Sequence, residues 1–332
     1  MKPVKLAIIG TGIAAKELHL PALMKLKDKY EIVAVCNHTE QKAREFSRLV
    51  NNVPFTLNYR DILSSSAVEA VDIALPIHLN FRVVKDALEA GKHVIVEKPI
   101  AGNLFDAELM TTFPDRYDSV MMVAENFRYN PVFIRARQII ASGEIGKPYA
   151  MFWNNFLEMS TGNKYAGTLW RIEHQYPGGF ITDGGVHIIA AIRMLFGEIV
   201  YGIGQSRSVN PAIGKVDSFT FQFKTDRDVT GIYNSYYSVK GHNENRLTVL
   251  GTIATMIIEG TKLSLYNGRS EPKVEIFDTD GGYTEEFEDF YNAIRKGNSP
   301  VSSFQEGYLD FKTIVTALKS ANKWDGLDLF RA

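Results

Sequence analysis

The sequence predicts an α/β protein in two parts, an N-terminal doubly wound parallel sheet and a C-terminal part with a largely antiparallel sheet. Two observations support the first part: short apolar runs alternate with helical repeats over residues 1–125, and a glycine-rich turn follows the first run. A third supports the second part: an apolar–polar alternation of period two begins after residue 126. A chain of 332 residues has room for about two domains, which we expect at 1–125 and 126–332.

Five short, mostly apolar runs are the expected strands of the first domain, and such runs suit parallel strands covered on both faces. Helical segments lie between them. Thr39 can cap one helix, whose apolar face carries Ala43 and Phe46, and Gly91 fits the left-handed position that ends another. This alternation predicts right-handed βαβ units. The expected strands are Val4–Ile9, Ile32–Cys36, Val71–Leu75, His93–Val96 and Val120–Ala124.

The second domain has a different pattern. Phe219, Phe221 and Phe223 alternate with polar residues, and a turn at Thr225–Asp228 follows them, as in an antiparallel sheet. Helices are expected at Val132–Ala141, Glu285–Arg295 and Gln305–Ala321. The expected strands are Tyr149–Leu157, Ile199–Ser208, Ser218–Lys224, Thr230–Val239, Arg246–Leu250 and Thr255–Glu259.

Composition and charge exclude several classes of function. The formal net charge is −1, so no bulk electrostatic attraction draws the protein to nucleic acid or to an anionic membrane. Cys36 is the single cysteine, which excludes an intramolecular disulfide and a thiolate zinc cluster, and we expect no metal site. No stretch approaches the ~18 uninterrupted apolar residues of a membrane helix. We expect a cytoplasmic protein.

A glycine-rich turn, Gly10–Ala15, follows the first expected strand and opens a helix in the pattern GxGxxA. The first glycine allows the tight turn, Gly12 lets the backbone approach a pyrophosphate, and Ala15 keeps helix and strand close. Helix N-terminal amides favour an anion at this position. The alternative is a glycine turn that binds no ligand. The expected cofactor contacts are Gly10, Thr11, Gly12, Ile13 and Ala14.

The residues after the second expected strand bear on the choice of cofactor. An NAD site usually has a carboxylate there that accepts from the ribose 2′-hydroxyl, whereas this chain has Asn37. Asn37 removes the charge that would repel a 2′-phosphate, and His38 can approach such a phosphate. We therefore prefer NADP slightly over NAD. The alternative is that Asn37 begins the next helix cap and the cofactor is NAD.

Lys98 follows a buried strand, within the segment Glu97–Pro99. Ligands of open α/β sheets bind at the carboxyl edge of the strands, so Lys98 is placed to donate to a substrate oxygen. There it would stabilise the alkoxide that forms as hydride leaves. The alternative is a surface salt bridge between Glu97 and Lys98.

Asp183 and His187 are four positions apart at the start of an apolar segment that ends at Gly197. If the helix has begun by Asp183, the two side chains share one face. A carboxylate and an imidazole together can bind a polyhydroxylated substrate and move a proton, since the unperturbed pKa of histidine is ~6.5. The alternative makes Asp183 a helix cap and His187 a hydrogen-bonded core residue.

Taken together, these motifs resemble the Gfo/Idh/MocA family, the relatives of glucose-fructose oxidoreductase and inositol dehydrogenase. The resemblance extends over nearly the whole chain, and it depends on the order and spacing of several segments rather than on any one of them. These segments are Gly10–Ala15, Ala74–Pro76, Gly91–Pro99, Glu125–Pro131, Gly143–Gly146, Trp170–Arg171 and Gly178–His187.

The resemblance implies a Rossmann domain joined to an α/β domain whose open antiparallel sheet commonly forms the oligomer interface, so we expect a homodimer or homotetramer. It implies an NAD- or NADP-dependent enzyme that acts on a hydroxyl or carbonyl group, often of a sugar or cyclitol. It also makes Lys98 the catalytic lysine, Asp183 the substrate-binding carboxylate and His187 the acid or base. The further cofactor contacts that it implies are Leu75, Pro76, Glu97, Lys98, Asn126, Trp170 and Arg171.

The chain departs from the family pattern at two positions. Many members have an aspartate where this chain has Ala190, and a histidine often stands where it has Asn80. Two other functions stay open at this point. One is a non-catalytic dinucleotide-sensing regulator on the same fold. The other is an enzyme that acts on a non-sugar substrate, such as a dihydrodiol or a tetrapyrrole.

Overall fold

The computed structural model describes residues 1–159, 162–268 and 271–321 of the chain. It divides into two compact units. The first contains Met1–Ile134 and Thr279–Phe311, and the second contains the described residues of Arg135–Asp278 and of the chain from 312 to 321. Each unit therefore combines two separate stretches of chain, whereas the sequence divides the chain once, near residue 125. That domain limit stays a prediction.

The first unit contains a six-stranded parallel sheet, which confirms the doubly wound fold expected from the sequence. Its strands are β1 (Val4–Ile9), β2 (Tyr30–Cys36), β3 (Phe55–Thr56), β4 (Ala70–Ile73), β5 (His93–Glu97) and β6 (Met121–Ala124). Their order is β3-β2-β1-β4-β5-β6, so the direction of winding reverses at β1. Every pair of neighbouring strands is parallel. Of the strands in this sheet, the sequence missed only β3, a two-residue strand at the edge.

Ten α-helices are assigned within the described residues, and a π-helical turn, Ala15–His19, runs directly into the first of them. Pro131–Ser142, the sixth, confirms the helix expected at Val132–Ala141. The helices are α1 (Leu20–Lys25), α2 (Glu40–Leu49), α3 (Tyr59–Ser64), α4 (Asn80–Glu89), α5 (Leu104–Met110), α6 (Pro131–Ser142), α7 (Leu169–Ile172), α8 (Gly179–Phe196), α9 (Tyr283–Lys296) and α10 (Phe304–Ser320).

Local signals in the sequence explain several helix ends. Gly91 has a φ of +70° just after α4, which confirms the predicted left-handed terminator. Ala43 and Phe46 are buried on the inner face of α2, as expected. Thr39 occupies the N-cap position of α2, but its side chain makes no capping hydrogen bond. Instead the Thr39 amide donates to Asn37 Oδ1 at 2.9 Å, so Asn37 provides the side-chain acceptor.

The second unit contains an eight-stranded sheet, which confirms the largely antiparallel sheet expected from the sequence. Its order is β14-β13-β12-β11-β7-β10-β9-β8, and only the β7–β10 pair is parallel. Phe219, Phe221 and Phe223 all point into the core from β9, as their alternation predicts. The strands are β7 (Pro148–Phe156), β8 (Ile199–Arg207), β9 (Ser218–Thr225), β10 (Thr230–Tyr236), β11 (Glu244–Gly251), β12 (Thr255–Glu259), β13 (Lys262–Tyr266) and β14 (Lys273–Ile276).

Helix α8, which carries Asp183 and His187, is long and largely apolar. Within the described residues it alone is long and apolar enough to cross a membrane, whereas the sequence analysis expected no such stretch. However, 83% of the helix is buried inside the structure, and the core helix of a soluble protein meets the same criterion. The burial of α8 therefore explains its composition without a membrane.

Candidate active site

The carboxyl ends of five neighbouring strands carry the residues predicted to bind a cofactor. Because β2, β1, β4, β5 and β6 are parallel, these ends lie at one edge of the sheet, and the winding reverses at β1. Open α/β sheets bind their ligands at this edge. The residues that the first unit brings together there are Gly10–Ala14 after β1, Asn37 and His38 after β2, Leu75 and Pro76 after β4, Glu97 and Lys98 at the end of β5, and Asn126 after β6.

The glycine turn after β1 is shaped by two different requirements. Gly10 has a φ of +98°, and a Cβ atom there would overlap the carbonyl oxygen of Ala74, so the close packing beside β4 requires glycine. At Gly12 a Cβ atom would meet no atom within 4 Å, so the space before the backbone is open. Ala15 is fully buried, as expected for close contact between helix and sheet. This turn fits the approach of a pyrophosphate.

Asn37 is buried and already bonded within the loop that follows β2. Its Nδ2 donates to Thr11 Oγ1 at 2.8 Å, and its Oδ1 accepts from the Thr39 amide at 2.9 Å. The second bond forms an Asx turn just before α2, in keeping with the part of the alternative interpretation in which Asn37 begins the helix cap. The bond to Thr11 connects Asn37 to the glycine turn. His38 is exposed beside it.

Cys36, the last residue of β2, directly precedes this loop. It is the only cysteine of the chain, and its side chain is buried. Burial, with a smaller contribution from Asp61, raises the pKa of its thiol to about 11. The thiol is therefore protonated at neutral pH, and Cys36 behaves as a small apolar residue.

Lys98 is half-buried, and the backbone on both sides of it is held by one side chain. Asn80 is fully buried, and its Nδ2 donates to the carbonyl oxygens of Glu97, at 2.9 Å, and of Pro99, at 3.0 Å. Glu97 is also buried, whereas the alternative of a surface salt bridge would place it on the surface. The departure from the family pattern at Asn80 therefore lies directly against the segment that carries Lys98.

A buried charged group behind Lys98 was missed by the sequence analysis. His19 is fully buried, with Nδ1 at 2.9 Å from Asp72 Oδ2 and Nε2 at 3.0 Å from Glu97 Oε1. Burial alone lowers the pKa of His19, but Asp72 and Glu97 outweigh this effect and raise it well above its ordinary value. The sequence signal was Asp72 itself, a charged residue in the middle of an apolar strand.

Asn126 follows β6 and presents an unsatisfied acceptor. Its Nδ2 donates to the carbonyl oxygen of Gly281 at 2.8 Å, whereas its Oδ1 is buried without a hydrogen bond to any described residue. A buried amide oxygen of this kind requires a donor, and the carboxamide of a nicotinamide ring provides one. Together with the open space at Gly12, this orphaned oxygen fits a bound nicotinamide dinucleotide.

In the second unit, Asp183 and His187 lie on α8, which begins at Gly179. The helix has therefore begun by Asp183, and the two residues share one face, as the sequence predicts. Asp183 is 9% exposed and accepts a hydrogen bond from Arg171 Nε at 2.7 Å. The guanidinium of Arg171 lies 4.0 Å from the centroid of the Trp170 ring. The second unit thus brings Trp170, Arg171 and Asp183 together.

Two tyrosines adjoin this group. Tyr176 is buried, and burial, with a further contribution from the Asp183 charge, raises its pKa, so the phenol stays protonated. The hydroxyl of Tyr237 fills the space over Gly184, between Asp183 and His187 in the helix. Tyr237 is buried. Lys98 belongs to the first unit, whereas Asp183 and His187 belong to the second.

A doubly wound parallel sheet whose glycine turn fits a pyrophosphate defines a dinucleotide-binding protein of the Rossmann class. Comparison with known families agrees. Residues 4–125 match the oxidoreductase family model with an NAD-binding Rossmann fold, and residues 133–257 match the GFO/IDH/MocA C-terminal domain. The chain belongs to the Gfo/Idh/MocA family and is an NAD(P)-binding oxidoreductase.

Relatives are similar over nearly the whole chain. An uncharacterized protein of Saccharomyces cerevisiae is 33% identical over 316 residues, which cover 89% of each chain. A solved oxidoreductase from Thermotoga maritima has a TM-score of 0.91 at 35% identity, over 96% of this chain and 97% of that one. D-xylose 1-dehydrogenase (NADP(+)) of Haloarcula marismortui is 25% identical over 335 residues, which cover 96% of this chain and 91% of that protein.

The two glycines of the turn are expected to respond differently to the same substitution. Gly10→Ala introduces a strained backbone, which alone costs about 1–3 kcal/mol, and an overlap with Ala74, so we expect a clearly lower melting temperature. Gly12→Ala has room for its methyl group but obstructs the pyrophosphate, so we expect near-native melting and cofactor affinity reduced by about ten-fold or more. Thermal melts and NAD(P)H titrations measure both quantities. Equal cofactor affinity in Gly12→Ala and wild type would contradict the assignment of the turn.

Proposed function

We propose that the protein oxidises a hydroxyl group, or reduces a carbonyl group, of a sugar, polyol or cyclitol. The observation that carries this proposal is the Asp183–His187 pair on one face of the largely apolar helix α8. A carboxylate accepts hydrogen bonds from hydroxyl groups and an imidazole can exchange a proton, so this pair suits a polyhydroxylated substrate. The similarity to D-xylose 1-dehydrogenase supports the same substrate class.

Each of the three proposed catalytic residues has a separate role. The nicotinamide cofactor that the sheet edge would hold would supply the hydride chemistry, as the hydride acceptor for oxidation. His187 takes the proton of the reacting hydroxyl group. Lys98 donates a hydrogen bond to the substrate oxygen and offsets the negative charge that develops on it. Asp183, oriented by Arg171, accepts from a neighbouring hydroxyl group. Carbonyl reduction reverses the proton and hydride transfers.

The residues at the sheet edge would hold the cofactor in three sections. The backbone of Gly10–Ala14 would bind the pyrophosphate, because Gly12 leaves open space there. Leu75, Pro76 and Asn126 would line the nicotinamide side, where the Asn126 Oδ1 needs a donor. Asn37 and His38 would lie at the adenosine ribose.

We propose NADP rather than NAD as the preferred cofactor. The loop after β2 offers no carboxylate to the ribose 2′-hydroxyl, since Asn37 stands at that position. His38 is exposed beside it, where it can approach a 2′-phosphate. The hydrogen bonds of Asn37 to Thr11 and Thr39 fix this loop whichever cofactor is bound.

We also propose that the protein forms a homodimer or homotetramer through the second sheet. The resemblance to the family suggested this surface, and the strands of the sheet carry exposed apolar side chains that a partner subunit would cover. These side chains include Phe152 on β7, Tyr201 and Ile203 on β8, and Tyr266 on β13.

Substrate screening tests the proposed activity directly. We expect reduced nicotinamide absorbance to appear with at least one aldose, polyol or inositol, and Lys98→Met to lower kcat by roughly 10²-fold while cofactor affinity changes little. Lys85→Met, at an exposed residue that pairs with Glu89, is the matched control. Cofactor binding without turnover of any substrate in the panel would instead favour a dinucleotide-sensing regulator. Near-native turnover in Lys98→Met would remove Lys98 from the mechanism.

The role of His187 can be separated from a structural one by pH. If His187 takes the hydroxyl proton, the rate of oxidation falls at low pH, where the imidazole is protonated and cannot act as a base. We expect His187→Asn, which keeps a similar size and one hydrogen-bonding group, to flatten this limb and slow the chemical step. A lower melting temperature with the pH limb intact would assign His187 to the core instead.

Cofactor preference tests the role of Asn37. Asn37→Asp adds a carboxylate that can accept from a ribose 2′-hydroxyl and that repels a 2′-phosphate, so we expect the ratio of kcat/KM values to shift toward NAD. Thr11 can maintain the contact by donating its hydroxyl proton to the new carboxylate. Asn58→Asp adds the same charge at the cap of α3 and serves as the control. An unchanged ratio would show that residue 37 does not read the ribose.

A further inference from the structure

His19 connects two neighbouring strands of the first sheet through its two ring nitrogens. Asp72 lies on β4 and Glu97 at the end of β5, and each presents a carboxylate oxygen to one nitrogen. A carboxylate can only accept, so both nitrogens donate, and only the charged imidazolium has two N–H groups. The bridge is therefore a buried cation between two buried anions, which gives each contact the strength of a charge-assisted hydrogen bond.

The local helix geometry determines which side chain lies between Asp72 and Glu97. The π-helical turn Ala15–His19 ends at His19, directly before α1. Each residue turns a helix by about 100°, so the additional residue of a π turn decides which side chain faces the sheet. Leu20 and Leu23, which follow, are buried in the same core. His19 is thus a polar residue that the backbone directs into an apolar layer.

The surroundings of His19 keep Asp72 and Glu97 available to it. Glu286 on α9 is fully buried, and its two carboxyl oxygens make no hydrogen bond with the described residues. Burial raises the pKa of Glu286 well above its ordinary value; the His19 charge opposes this and Glu97 supports it. Burial therefore disfavours the charged form of Glu286, and its carboxyl group makes no hydrogen bond to His19. The Phe287 ring covers His19 edge-on, with centroids 5.2 Å apart.

Glu97 transmits this arrangement to Lys98, because the two residues are adjacent in the chain. Asn80 fixes the carbonyl oxygens of Glu97 and Pro99, on either side of Lys98. His19 fixes the Glu97 side chain. The segment that carries Lys98 is therefore restrained through the side chain of Glu97 as well as through the carbonyl groups on either side of Lys98. A donor that must meet a developing oxyanion is sensitive to its position, and a displacement of about 1 Å can cost 10²-fold in rate.

We propose that His19 is a positioning residue: by holding Glu97 against Asp72 it fixes the end of β5, from which Lys98 reaches the substrate. This inference rests on the proposed function, in which Lys98 donates to the reacting oxygen. His19 itself touches neither substrate nor cofactor in this scheme. Its contribution is the placement of Lys98, so its loss should reduce kcat much more than cofactor affinity.

Two substitutions of His19 each keep one of its two contacts and remove the other. The amide nitrogen of glutamine can take the place of Nε2, so His19→Gln keeps a donor to Glu97 and loses the one to Asp72. The amide nitrogen of asparagine takes the place of Nδ1, so His19→Asn keeps the donor to Asp72 and releases Glu97. Both variants remove the same charge, which makes them matched. We expect His19→Asn to lower kcat by roughly 10²-fold, and His19→Gln to recover about ten-fold of that loss, with NAD(P)H affinity little changed in both.

A second measurement needs no substrate. Acetylation of Lys98 by acetic anhydride, followed by mass spectrometry of its peptide, reports how well its side chain is held. We expect faster acetylation in His19→Asn than in His19→Gln, with the exposed Lys85 unchanged as internal control. If no sugar is oxidised but acetylation separates the two variants, the proposed function fails and the positioning of Lys98 stands.

Equal kcat and equal acetylation rates in the two His19 variants overturn the proposal, because a merely structural role would not distinguish one ring contact from the other. If either variant fails to fold, Glu97→Gln replaces it. That change removes only the charge from the contact to His19, and we expect it to lower kcat about ten-fold. An unchanged kcat in Glu97→Gln, with Lys98→Met inactive, also overturns the proposal.

Discussion

The parallel pairing of β1 with β2 on one side and with β4 on the other is the constraint on which the rest of the first unit depends. Because both neighbours run in the same direction as β1, their ends and the connections that follow them meet at one edge. The chain must leave β1 in the narrow space beside the Ala74 carbonyl group, which only glycine allows at position 10. The positions of Asn37 and Lys98 follow from the same strand order.

Much of the fold could be predicted because many strands and helices are indicated by the pattern of apolar residues within their own stretch of sequence. Continuous apolar runs identify buried parallel strands, and the alternation of Phe219, Phe221 and Phe223 identifies a strand with one face in the core. The strands β13 and β14 were missed, since they are short and are formed by pairing with strands already in the sheet. The two-residue strand β3 is stabilised in the same way, by its pairing with β2.

The candidate site could be predicted only in part, for a similar reason. Asp183 and His187 are one helical turn apart, so their shared face is visible in the sequence. The bridge from His19 to Asp72 and Glu97 joins residues that are 53 and 78 positions apart, and no local period connects them. Asn37 was placed correctly after β2, but its bond to Thr11 depends on how two loops meet. The substrate depends on side chains of this kind, which relatives with the same fold need not share.

The burial of Cys36 has a practical consequence for measurements on this protein. Its thiol has a pKa of about 11, so it forms almost no thiolate at neutral pH while β2 is intact. A disulfide reagent would then react only in molecules where the end of β2 has opened. Since the chain has no other cysteine, the rate of that reaction measures how often the structure opens locally beside the dinucleotide loop. The same protection lets the protein be handled without reducing agents, which otherwise interfere with redox assays.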